Sequence, residues 1–217
     1  YRYASYKIDE IEVTVGNFYD QFGNGLIFRS YEERGLGLDN AMDGIRVKYK
    51  PVNGMYLKGV IGNQRSFFSK GDGIVRGFDS ELQFNELFLK WAEARTRVMI
   101  GGSFVSKYQE DQDPSYEFPL NVGASAGRIN IIRGNFSIGG EYAFKSPDPS
   151  FDNGNIFKEG DALVVKTNYA TKGFALSFNA KRTDNMSFRS DRFTSLTDRM
   201  INYLPAYTKQ HTYGLLT

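Results

Sequence analysis

The chain has 217 residues, no cysteine, a single histidine and a formal charge of +2. Without cysteine there is no disulfide framework, no thiolate metal site and no cysteine nucleophile, and one imidazole cannot build a histidine-rich metal centre. The near-neutral balance gives no basic footprint for nucleic acid, and the lack of any run of about 18 apolar residues excludes a membrane-spanning helix while leaving a strand-built barrel open.

The elements predicted in chain order are strands. Ile11, Val13 and Val15 alternate with Glu12 and Thr14, which predicts a first strand from Tyr6 to Val15 with one apolar and one polar face. A second runs from Leu26 to Tyr31 and leads into a polar stretch rich in turn residues, Gly35, Gly37, Asp39 and Asn40. A third ends at Lys50, where Pro51-Val52-Asn53-Gly54 reads as a compact hairpin, and a fourth covers Met55 to Gln64. A long loop containing Gly71, Asp72 and Gly73 follows. Glu81 to Trp91 changes phase near Asn85, which reads as a strand with a bulge there, an amphipathic helix being the competing reading.

Beyond the middle, Val98, Ile100 and Phe104 alternate with Arg97, Met99, Ser103 and Lys107, and an acidic loop spans Gln109 to Glu117. Val122, Ala124 and Ala126 lead to a turn at Arg133-Gly134, and Phe136, Ile138, Tyr142 and Phe144 return. After a long loop from Ser146 to Gly160, the strand containing Leu163 and Val165 turns at Thr171-Lys172-Gly173 into Phe174, Leu176 and Phe178. A last loop, Arg182 to Arg199, precedes a strand through Ile201, Tyr203, Pro205 and Tyr207. This makes about ten or eleven strands joined by alternately short and long connections, the rhythm of an all-β, antiparallel up-and-down transmembrane β-barrel.

A soluble sandwich also alternates, so three further features decide the expectation. The strands run about nine to twelve residues, the length a tilted strand needs to cross a bilayer, whereas soluble strands average five or six. Aromatics stand near strand ends, at Tyr6, Phe18, Tyr19, Phe67, Phe68, Trp91, Tyr108, Phe144 and Tyr169, where interfacial girdles belong. Full charges occupy the polar faces in mid-strand. Residues 1–217 then form one barrel domain, and the strand-like opening at Tyr1 together with the awkward strand count is expected of a portion of a larger mature barrel.

Gly16-Asn17-Phe18-Tyr19-Asp20-Gln21-Phe22-Gly23-Asn24-Gly25-Leu26 has the form G-x-F-Y-x-x-F-G-x-G-L, and Tyr31-Glu32-Glu33-Arg34-Gly35-Leu36-Gly37-Leu38-Asp39-Asn40 has the form Y-E-x-R-x-L-G-x-D-N. Residues 15–47 thereby resemble the early strands of porin-like outer-membrane barrels of Bacteroidota, with weaker similarity of pattern through Arg189. The resemblance implies a fold and the bacterial cell outer membrane. That group has no established catalytic residue, so it implies no chemistry.

Residue patterns for catalysis are missing. There is no G-x-S-x-G elbow, and the sole base for a hydrolase triad would be His211. Two acidic loops, one with Glu110, Asp111 and Asp113 and one with Asp148, Asp152 and Glu159, offer oxygen ligands but lack EF-hand spacing, and read as solvated. The expectation is therefore a non-enzyme with neither metal nor cofactor. What remains is a charged face: Arg46, Lys48, Lys58, Lys107, Arg128, Glu141, Lys166 and Lys181 are the lumen-lining candidates. A basic-leaning open lumen favours porin-like passage of small anionic solutes. If the same charges pair with each other and with plug residues, the alternative is a non-conducting structural or accessory barrel that binds other outer-membrane or periplasmic proteins through long loops such as Met186 to Arg199. In both cases the surrounding partners are the lipid bilayer and lipopolysaccharide, and nucleic acid is not among them.

Overall fold

The computed structural model describes residues 2–66, 69–110, 117–192 and 199–204. Its strands are β1 (Tyr3–Ile8), β2 (Ile11–Phe18), β3 (Asp20–Gln21), β4 (Arg29–Ser30), β5 (Glu32–Glu33), β6 (Leu38–Asp39), β7 (Met42–Val52), β8 (Met55–Ser66), β9 (Ser69–Gln83), β10 (Thr96–Tyr108), β11 (Asn121–Arg133), β12 (Phe136–Lys145), β13 (Gly160–Thr171) and β14 (Phe174–Asp184). Ten of them form one antiparallel sheet in the order β1-β2-β7-β8-β9-β10-β11-β12-β13-β14. That is chain order, so the sheet is up-and-down. The sheet is not closed, and β1 and β14 are its edges. The remaining four strands, β3 to β6, make two small pairs inside the connection between β2 and β7. From β7 onward the sheet strands are 10 to 15 residues long.

Turn chemistry sets one end of the sheet. Gly54 at φ 84° and Gly134 at φ 57° supply the positive φ that tight hairpins need. At the other end the β2–β7, β10–β11 and β12–β13 connections are long, while β8 and β9 are separated by two residues; the β2–β7 connection and the segment after β14 fold back into the concavity of the sheet.

Five expectations need correction. The predicted strand from Tyr6 to Val15 is a hairpin, with Ile8 paired to Ile11 and Asp9 at φ 43°, a conformation Asp tolerates. Leu26 to Tyr31 contributes no strand to the sheet: Leu26, Ile27 and Phe28 are consecutive and fully buried, and a run apolar on every side belongs in a core. Gly71 and Gly73 lie within β9, where the missing side chains make room for a folded-in segment. The phase change at Asn85 marks the chain leaving the sheet: a helical turn, α1 (Phe84–Leu87), and a 3-10 turn, Leu89–Trp91, follow β9. Asn85 secures this link, accepting from Val98 N at 3.0 Å and donating to the carbonyls of Trp91 and Thr96 at 2.8 and 2.9 Å. Finally, Ile201–Leu204 is not a strand, and Pro205 and Tyr207 lie outside the described residues.

The two faces differ in kind. On the convex face, exposed apolar side chains recur from strand to strand, including Ile45, Ile61, Phe78, Phe104, Tyr142 and Phe178. The concave face carries the core, where Phe18, expected in an aromatic girdle, is buried with Val60, Val75, Val105 and Val164. On β11 the apolar phase is also concave, since Val122, Ala124 and Ala126 are buried.

Candidate functional site

The concave face is built in transverse rows fixed by strand register. One row pairs Lys7 with Glu12, Glu12 with Lys48, Lys48 with Lys58 and Lys58 with Asp79, then continues through Ser103 to Ala126, Ala143 and Ala162. The wall is thus charged over β1 to β9 and small over β11 to β13. A neighbouring row sets Glu81, Gly101, Arg128 and Glu141 side by side. Gly101 leaves room for Arg128 there: a Cβ on it would lie 2.5 Å from the guanidinium, which would have to shift.

Two inserts fill this concavity at its long-loop half. The first is the stretch from Tyr19 to Ser30, and the second runs from Asn185 to Arg192 and resumes at Arg199 to Leu204. They bond to each other across the length of the chain: Arg29 N donates to Ile201 O and Tyr203 N to Gly25 O, both at 2.8 Å. Asn202 stitches them further, its amide donating to Leu26 O at 2.9 Å and Met186 O at 2.8 Å while its oxygen accepts from Phe188 N at 3.2 Å. Phe22, Leu26, Phe28, Met186, Phe188 and Ile201 join the core cluster with the small residues of the wall. Glycines of β9 seat the inserts, since a Cβ on Gly77 would meet the Phe22 ring at 2.7 Å and one on Gly73 would collide with Ser190 O.

The eight lumen-lining candidates all stand on the concave face, and the inserts or the wall engage them. Arg46 donates to Glu12 at 2.8 Å, Tyr19 O at 3.0 Å and Thr14 at 3.1 Å. Lys58 donates to Asp20 and Gln21 O, both at 3.0 Å. Lys48 lies 3.9 Å from Glu12 and 4.0 Å from Asp20 with its side chain 40% exposed. Lys107, fully buried, binds both oxygens of Asp148 at 3.0 and 3.2 Å. Arg128 holds Asp79 through two contacts, 2.7 and 3.2 Å, and donates to Ser103 at 2.9 Å. Glu141 accepts from Asn24, and Lys166 donates to Asn24 Oδ1 at 3.2 Å. Lys181 is half-buried in register with Val164. Five residues of the first insert, Asp20 to Asn24, therefore reach from β7 and β8 to β12 and β13.

Toward the tight turns the same face is open. A cleft of about 410 Å³ lies there among Asn24, Glu81, Arg128, Asn130, Lys166 and Asn168.

Several residues that build this arrangement were not singled out by sequence. Asn24 reads as turn chemistry, yet it is the tip of an insert. Asp148 reads as a solvated loop carboxylate, yet it is the buried partner of Lys107. Gln64 and Asn202 satisfy interior backbone groups, Gln64 donating to Met200 O at 2.7 Å and accepting from Ser190. The loop residues Met186, Phe188, Ser190 and Arg192, expected on a partner-facing surface, are buried. Spacing along the chain carries no signal for contacts 117 to 176 residues apart. Among the described residues no three of His, Cys, Asp or Glu gather as a metal-binding group, while Asp111, Asp113 and His211 lie outside the described residues. No described helix is long and apolar enough to cross a membrane, which does not bear on strands.

A family of unknown function, DUF6029, matches residues 1–217. The chain belongs to the DUF6029 family. No curated protein and no solved structure matches it. The G-x-F-Y-x-x-F-G-x-G-L stretch, expected to be an early strand, supplies Phe22, Gly23, Gly25 and Leu26 to the first insert.

Proposed function

We propose that this chain is barrel wall of the bacterial outer membrane, part of a larger transmembrane barrel whose interior is occupied by its own connections, and that it serves as a non-conducting structural or accessory barrel of the envelope. The observation that carries the reading is the pairing of two faces. Large apolar side chains on the convex face stay exposed strand after strand, with Phe78 and Phe104 at 50%, Tyr142 at 51% and Phe178 at 63%. A soluble protein rarely leaves so extended an apolar face in water, and a bilayer covers it without penalty. Lipid and lipopolysaccharide are the partners of that face, and other outer-membrane or periplasmic proteins are partners of the rim. No chemistry is asked of the protein.

The non-conducting reading is favoured because Arg46, Lys58, Lys107 and Arg128 are engaged by carboxylates of the wall and its connections. Folding tests the membrane part: the wild-type protein is expected to fold in detergent or lipid, and a folded, monomeric protein in plain buffer overturns it. Reconstitution in planar bilayers tests the closed interior, with no discrete conductance expected from the wild type.

A second reading, porin-like passage of small anionic solutes, is supported by the open half of the concave face, where Lys166 is exposed beside the 410 Å³ cleft. Discrete, anion-selective conductance of the wild type would favour it.

A further inference from the structure

At the tight-turn rim two arginine side chains stand without an ionic partner among the described residues. Arg133 ends β11, and its register partner is Thr96, so Arg95 stands one residue from the position directly across. Arg95 and Arg133 line a cleft of about 360 Å³ together with Gly134 and Asn135. Neither the Arg95 nor the Arg133 side chain takes part in a salt bridge or hydrogen bond with the described residues, and both residues are exposed. The turn itself is held in place, since Ala170 N donates to Asn135 O at 3.0 Å. Arg133 belongs to the convex phase of its strand, two residues beyond Ile131 and four beyond the exposed Ile129. Beside it on the same face, Phe136 is paired to Arg133 and Tyr169 to Phe136, and the Tyr169 ring lies 6.4 Å from that of Phe174. An apolar belt thus ends in an aromatic rim and two unpaired guanidiniums.

We infer that the Arg95–Arg133 cleft binds the phosphate of an anionic phospholipid headgroup at the tight-turn rim of the barrel. The inference rests on the membrane reading above. Guanidinium forks match phosphate oxygens, an aromatic rim marks headgroup depth, and the belt continuing from the cleft receives the acyl chains. A free phosphate ion offers the same oxygens but has no use for the belt.

The test uses the purified protein and vesicles of phosphatidylcholine with or without phosphatidylglycerol. Co-flotation reports insertion, and native mass spectrometry after detergent extraction reports retained lipid. Wild type is expected to float and to retain phosphatidylglycerol, while Arg95→Gln/Arg133→Gln floats equally and retains about tenfold less. A control, Arg34→Gln/Lys158→Gln, removes two charges from the opposite end and is expected to retain lipid like the wild type. Equal retention by the cleft variant, with flotation intact, overturns the inference and leaves the membrane reading standing. Failure of the wild type to float overturns the membrane reading and the inference with it. Displacement of phosphatidylglycerol by equimolar inorganic phosphate assigns the cleft to a free anion and overturns the lipid assignment.

Discussion

Asn24 donates both its backbone N–H and its side-chain amide to one oxygen of Glu141, at 2.7 and 2.8 Å, across 117 residues of chain. Gly23, at φ 51°, lies against the same carboxylate, which a Cβ there would press upon. This fastens the tip of the first insert to β12. Hydrogen bonds to a charged group are worth about 1.5–3 kcal/mol each, so Glu141→Ala is expected to free the tip before it disturbs the sheet. Limited proteolysis should show new cleavage within residues 19–30 while β12 and β13 stay protected. Unchanged cleavage would remove the fastening role.

Gly77 and Gly127 make a paired test of the seating of that insert. A methyl on Gly77 meets the Phe22 ring at 2.7 Å, whereas one on Gly127 meets nothing within 4 Å. Gly77→Ala is expected to cost about 1–3 kcal/mol as overpacking, and Gly127→Ala close to nothing. Denaturant unfolding in detergent gives both values, and equal effects would contradict the packing described.

Lys107 and Asp148 are a buried pair, their side chains 0% and 1% exposed. Removing one partner strands the other charge, at about 3–5 kcal/mol. Lys107→Met and Asp148→Leu are each expected to destabilise by that order, and the double variant to recover most of the loss. A double variant as unstable as the sum of the singles would show that the two charges do not depend on each other.

The convex face makes the prediction that separates lipid from water. Val165 and Ile138 point outward, while Lys166 and Glu141 point into the concavity. A cation at the bilayer midplane costs about 2–4 kcal/mol and less toward the interface, so Val165→Arg, and to a smaller degree Ile138→Arg, should reduce folding yield in lipid more than Lys166→Ala. Equal yields across the three would speak against lipid contact.

How much of this could be read from the sequence follows from the range of the forces involved. Alternation is local, and so β7, β8, β10 and the strands from β12 to β14 stand close to where their period-2 patterns place them. The charged concave residues were legible for the same reason, because Lys58 and Lys166 interrupt apolar neighbours at fixed phase. Glycines misled: Gly71 and Gly73 look like loop chemistry because a residue without a side chain has no hydrophobic phase, yet they seat an insert. The inserts were illegible too. Leu26 to Phe28 and Ile201 are apolar enough for strands, and only contacts with distant parts of the chain decide that they belong inside.

Those distant contacts also order the assembly in time. The first insert is complete by Ser30, but Ile201, Asn202 and Tyr203, which close its backbone bonds, come after β14. Until the chain has been threaded through all ten strands, Leu26 and Phe28 lack the layer that covers them. Closing so long a loop is slow relative to forming neighbouring hairpins. Among these ten strands the wall is then expected to form before its filling, with the Asn202 contacts joining the two inserts late.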